Sequence, residues 1–205
     1  MTSISKLDFR PPRRAANIGM WLLLAALGML FVSGMLLYVL FYLHVFGNAA
    51  TIPVHLPAAM WISTAVLLVA SCTIHRAVAA VRRQRLTPLL HWLYATSALA
   101  AVFLAIQFPC LAKVLAAYRA ATASIVAQTS AATHPLRLDG LVFCLILLHA
   151  LHVIGGIVAM GIVTVNVYRG RYDHEHYTPI RHAAWYWHFL DGVWLTMFAI
   201  FLTTR

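Results

Sequence analysis

The sequence predicts an all-α integral membrane protein: one transmembrane domain over residues 1–205, built from five helices, with a cytoplasmic N-terminus and a periplasmic C-terminus. Three observations carry that expectation. Hydrophobic residues fill 62% of the 205 positions and charged residues only 10%, whereas a soluble globular chain carries about 25% charged residues. The few charges are segregated, leaving long uncharged runs. The cations among them are strongly asymmetric about those runs.

Each helix follows from a run. No Asp, Glu, Lys or Arg occurs between Arg14 and Arg76. That stretch holds two spans, at about 18–43 and 56–80, separated by Gly47, Asn48, Pro53 and Pro57, which are turn and breaker residues. A third uncharged run between Arg85 and Lys113 predicts a helix at about 88–113, and a fourth between Asp139 and Arg169 one at about 139–168. The fifth, at about 181–203, contains a single internal charge, Asp191. About 20 apolar residues suffice to cross a hydrocarbon core about 30 Å thick. Backbone polar groups in lipid must be satisfied within the segment, and the runs lack the alternating polarity of a membrane barrel, so the spans are helices.

Orientation comes from Lys and Arg. With residues 1–16 as a cytoplasmic tail, the inside segments hold Lys6, Arg10, Arg13, Arg14, Arg76, Arg82, Arg83, Arg85, Arg169, Arg171 and Arg181. The outside segments hold only Lys113, Arg119, Arg137 and Arg205. That bias places the N-terminus inside. A net charge of +10 invites a nucleic-acid reading, but the cations lie at membrane boundaries and form no single stripe. Basic residues before the first apolar run resemble a secretory signal, yet the run exceeds the h-region of about 7–15 residues, so an uncleaved span is expected. The three cysteines, Cys72, Cys110 and Cys144, fall one per span without a CxxC spacing and read as buried structural thiols. The connection from 116 to 136 is Ala/Thr/Ser-rich and external, with room for a short helix.

Polar groups inside a membrane are costly and need a reason. Asp191 lies ten residues beyond Arg181, about 15 Å along a helix, near mid-membrane. His188 shares its face at i−3, and Trp187 and Trp194 flank it at i−4 and i+3. Such a face handles protons, binds a ligand, or locks helices together through hydrogen bonds; the locking role is the expectation. His149 and His152 lie one turn apart in the fourth span. Histidines at i, i+3 can share a metal or serve as haem ligands, but no second deep pair faces them, and packed, hydrogen-bonded imidazoles are expected. Gly155, Gly156 and Gly161 nearby suit close helix contact. Gln107 precedes Phe108-Pro109, where the proline kinks the third span or the amide binds a ligand. Tyr172-Asp173-His174-Glu175-His176-Tyr177 is rich in ligand-type residues without metal-site spacing and reads as a solvated cytoplasmic loop. No phosphate loop, nucleophile elbow, HExxH or dinucleotide fingerprint occurs. No metal site and no catalytic residue is assigned; a non-catalytic subunit suits this pattern better than an enzyme or a transporter.

The last span reads Ala183-Ala184-Trp185-Tyr186-Trp187-His188-Phe189-Leu190-Asp191-Gly192-Val193-Trp194-Leu195. It resembles the C-terminal signature A-x-Y-W-H-F-V-D-x-V-W of subunit III of the haem-copper oxidases. His149-Ala150-Leu151-His152-Val153 before Gly155-Gly156 is similar to that family's H-G-x-H-V-x-x-G. Gly19-Met20-Trp21-Leu22 resembles its opening G-M-W, and Trp61-Ile62-Ser63-Thr64 with Leu67, Leu68 and Ser71 resembles its second core span. The resemblance covers about residues 15–204 and suits the short five-helix bacterial form. Where family members often carry Ser-Glu in the first span, this chain has Ala26 and Leu27, so that intramembrane carboxylate is missing. Ala150 replaces a usual glycine.

The resemblance implies a subunit of a proton-translocating cytochrome c oxidase in the bacterial inner membrane. Its role would be to support aerobic electron transport and oxygen reduction by stabilising the catalytic subunit. It implies partners in oxidase subunits I and II, which would hold the haem and copper. It implies a V-shaped helix arrangement with phospholipid in the cleft, for which Trp21, His149, His152 and Trp187 are the expected contacts. Trp185, Trp187, Trp194, His149, His152, His188 and Asp191 are the expected structural intramembrane set. The alternatives are a nitric-oxide-reductase accessory protein of the same family or a quinol oxidase subunit III.

Overall fold

The computed structural model describes residues 13–46, 59–83, 85–128, 138–170 and 178–204. All regular structure among them is helical. The five helices are α1 (Arg13–Phe46), α2 (Ala59–Arg82), α3 (Leu86–Gln128), α4 (Leu138–Tyr168) and α5 (Thr178–Thr203). Most of the expected cytoplasmic tail, the 47–58 breaker segment, the 129–136 part of the external connection and the Tyr172–Tyr177 loop lie outside the described residues.

Two expectations change. The connection expected to be external is helical far beyond 113: α3 runs 43 residues to Gln128, through Pro109. At about 1.5 Å per residue it is twice as long as the hydrocarbon core is thick, and Ala-rich sequence keeps it helical past the apolar run. By length and apolarity, four of the described helices qualify as spans, those within α1 to α4. α5 has 26 residues, enough length to cross, but Arg181, His182, His188 and Asp191 interrupt its apolar run. Its burial depends on neighbours rather than on lipid alone.

Those neighbours form a ring. α2 packs on α3, α3 on α4, α4 on α5, and α5 back on α2. The α2–α3 turn is tight, with the Arg83 and Arg85 amides both donating to the Ala80 carbonyl at 3.1 Å. Small residues at Ala70, Ala77 and Ala100 let helices approach, and the Thr73 and Thr96 hydroxyls meet at 2.8 Å across the α2–α3 seam. α1 lies outside the ring against α4 and α5. It buries one stripe of Leu24, Phe31, Met35 and Tyr38, while Trp21, Leu22, Met29, Val32 and Leu36 face outward. α1 and α4 approach closely at Gly34, where a Cβ would sit 2.8 Å from Leu145 Cδ2. Hydrogen bonds fasten α1 to α5 at both ends. Tyr38 Oη and Thr204 Oγ1 are 2.7 Å apart at one end. At the other, Asn17 Oδ1 accepts from Arg181 Nη2 at 2.9 Å and from His182 Nε2 at 2.8 Å.

Candidate functional site

α5 organises the polar interior. Its buried positions include Trp187, Leu190, Asp191, Trp194, Met197, Phe198 and Phe201, an i, i+3/i+4 series that turns one face inward. Trp194 stands at the centre of the bundle. Its Nε1–H donates to Thr64 Oγ1 of α2 at 3.0 Å, and that hydroxyl donates in turn to the Met60 carbonyl at 2.8 Å. The indole meets Phe103 of α3 edge-on at 5.3 Å and lies 5.2 Å from the His149 ring of α4. One side chain therefore touches three other helices.

His149 is sealed among rings. It has no exposed surface, and Phe31, Phe103 and Trp194 stand 6.3, 6.0 and 5.2 Å from its centroid. Neither ring nitrogen has a hydrogen-bond partner among the described residues. This corrects the expectation of a hydrogen-bonded imidazole: aromatic packing, not a polar partner, holds His149. His152 follows the expectation instead, with Nδ1–H donating to the Leu148 carbonyl at 2.7 Å and its ring 5.3 Å from Phe31. The two histidines therefore sit in different surroundings. One member is walled in by aromatics and the other has committed a nitrogen to its own helix. No group of three or more His, Cys, Asp or Glu suited to a metal occurs among the described residues.

Asp191 and His188 share a face as expected, with His188 Nδ1 3.8 Å from Asp191 Oδ2. The nearer partner of His188 is Ser71 of α2, whose Oγ is 2.9 Å from the same nitrogen. His188 stays open to the outside while Asp191 is closed in. Both Asp191 oxygens lack hydrogen-bond partners among the described residues, as do Gln107 Oε1 and Nε2 and Trp187 Nε1. Sequence reasoning placed the carboxylate and imidazole on one face; it did not reveal that Ser71 takes the imidazole.

Trp187 is buried against Gly156, where a Cβ would lie 3.3 Å from its Cζ3. Tyr186 Oη bridges the same seam by donating to the His152 carbonyl at 3.0 Å. Of the four expected lipid contacts, Trp187 and His149 are therefore enclosed by protein, and only Trp21 and His152 present surface. Trp185 turns the other way, tilted against Trp21 at 5.3 Å between ring centroids, with the Arg181 guanidinium 4.9 Å over its ring. Asn17, which anchors this cluster, was missed; its signal was an amide one turn before Trp21 in an otherwise apolar run. Of the three cysteines, only Cys110 is buried. Cys72 and Cys144 are exposed on the helix surface, which corrects the expectation of three buried thiols.

No family model matches the chain. Several curated proteins do. Over 50 residues, 24% of this chain, it is 42% identical to cytochrome c oxidase subunit 3 of Pylaiella littoralis and 44% identical to that of Glycine max, covering 18% and 19% of those proteins. A longer match, 26% identical over 149 residues, joins 70% of this chain to 65% of cytochrome c oxidase subunit 3 of Thermostichus vulcanus. The matched region thus spans under a fifth of the first two relatives and about two thirds of the third.

Proposed function

We propose that this chain is a member of the cytochrome c oxidase subunit 3 family, to one of whose proteins it is similar over 70% of its length, and that it is a non-catalytic subunit of a haem-copper terminal oxidase. In this reading it packs on the catalytic subunit in a bacterial plasma membrane and sustains oxygen reduction coupled to proton translocation. The observation that carries the reading is the construction of α5. The signature residues Trp187, Asp191 and Trp194 are all turned into the bundle, and the two tryptophans join α5 to its neighbours, Trp187 against Gly156 and Trp194 against Thr64, Phe103 and His149. A side chain such as Trp194, bonded to Thr64 and packed on Phe103 and His149, builds a rigid body. Haem and copper then belong to partner subunits, and the exposed apolar sides of α1 and α4 are available for a partner or for phospholipid at Trp21 and His152.

The test is purification of the tagged chain from its own membranes in mild detergent. Co-purification of subunits carrying haem and copper, with oxygen consumption from reduced cytochrome c, is the expected result. Deletion of the chain should leave initial oxygen reduction in place and shorten its persistence. Co-purification with nitric-oxide-reducing activity, or recovery of the chain without any haem-bearing partner, would overturn the proposal.

A further inference from the structure

At one end of the bundle, where α2 finishes and α5 begins, a cavity of about 550 Å³ opens between the two helices. Its polar wall is His75, Arg82, Arg83, Arg181, Trp185 and His188. We propose that this cavity is a binding site for a phosphate-bearing anion.

Charge is the first argument. Three arginines converge from two helices, and no Asp or Glu lines the cavity among the described residues. Asp191, the nearest carboxylate in the sequence, is buried one turn beyond His188. Three like charges around one space repel each other unless an anion sits between them. Three guanidinium forks suit a tetrahedral anion with several acceptor oxygens better than a single carboxylate.

Preorganisation is the second. Arg181 is held from two sides: Asn17 Oδ1 accepts from its Nη2 at 2.9 Å, and its guanidinium lies over the Trp185 ring. Size is the third. The volume falls within the range of about 300–1,000 Å³ typical of small-molecule sites, and Val78, Ala79 and Ala184 give it an apolar floor. Basic pockets between membrane helices, near the boundary where tryptophan and arginine anchor, take up lipid headgroups. A lipid phosphodiester and a free phosphate share the chemistry that this wall recognises. The site is separate from the lipid surface at Trp21 and His152 and does not rest on the oxidase reading.

The test uses the full chain in phosphatidylcholine nanodiscs, titrated calorimetrically with dioctanoyl phosphatidylglycerol and, separately, with inorganic phosphate. Saturable one-to-one binding of at least one probe is expected. Arg82→Gln/Arg83→Gln, at two exposed positions, should weaken it about tenfold or more, while Lys113→Gln/Arg119→Gln, which removes the same charge elsewhere, should leave it unchanged. Arg181→Lys keeps the charge and loses the fork, and should weaken binding less than the arginine pair does. Binding of the lipid alone identifies a headgroup site; binding of phosphate with similar affinity identifies free phosphate as sufficient. Absence of saturable binding for both probes, or equal losses in the two double variants, would overturn the proposal.

Discussion

Replacing Trp194 tests whether α5 is the structural hub of the bundle. The residue is 1% exposed, donates one hydrogen bond to Thr64 and packs on Phe103 and His149. Truncating a buried Trp or Phe to Ala costs about 3–5 kcal/mol in soluble cores. In lipid the transfer contribution shrinks, because the unfolded reference is already apolar, and lost packing remains. Trp194→Ala should therefore fall near the lower end, about 3 kcal/mol. Trp194→Phe keeps most of the ring contact and loses the hydrogen bond, which in a membrane protein averages about 0.6 and reaches about 1.7 kcal/mol. Thr64→Val removes the acceptor and leaves the buried indole N–H unpaired, at a cost of about 1–3 kcal/mol. The double variant should cost less than the sum, with a coupling energy of the size of that single bond. Equilibrium unfolding in mixed micelles, followed by circular dichroism, reads all four values. A loss under about 1 kcal/mol for Trp194→Ala, or strict additivity of the Trp194 and Thr64 changes, would refute the reasoning.

Three further outcomes are expected. Gly156→Leu puts a side chain where a Cβ alone lies 3.2 Å from Tyr186 Cε1 and 3.3 Å from Trp187 Cζ3, and should cost about 1–3 kcal/mol by overpacking. Gly161→Ala, with nothing within 4 Å of its Cβ, should be neutral or gain up to about 1 kcal/mol from helix propensity; the same unfolding assay separates the two. Asp191→Asn keeps the shape and has no hydrogen bond to lose among the described residues, so the thermal midpoint in detergent should stay within about 2–4 °C of the parent; a larger fall would mean that the carboxylate is held by an ion pair. Single cysteines introduced into the Arg82–Arg85 turn and at Ala123 should label from the cytoplasmic and external sides respectively, and the reverse pattern would overturn the orientation drawn from the Lys and Arg bias.

The helical class and the approximate helix positions were legible because lipid allows few solutions. An uncharged run of 20 or more residues must close its own backbone hydrogen bonds, so charge spacing placed α4, and charge spacing together with the Gly, Asn and Pro breakers at 47–57 placed α1 and α2. The end of α3 was not legible: the segment after Lys113 mixes Ala with Thr, Ser and Arg, and helix propensity rather than apolarity carries the helix onward to Gln128. The signature residues on α5 were legible as one face from their i, i+3 and i+4 spacing. Their partners were not, because Thr64, Phe103 and Ser71 lie far away in the sequence and have ordinary side chains for their runs.

By itself the sequence determined that this chain is helical and rich in membrane-spanning segments, and that its fifth helix needs protein around it. Those properties follow from hydropathy and spacing, which act locally along the chain. Only the tertiary structure decided which polar groups are satisfied. It closed His149 among three aromatic rings and gave His188 to Ser71 rather than to Asp191. It also gathered Arg82, Arg83 and Arg181 around one cavity. The physical reason is that hydrogen bonds and charge clusters are settled by distances of a few ångströms between helices, and the order of residues along a helix does not set the rotation at which it meets its neighbour.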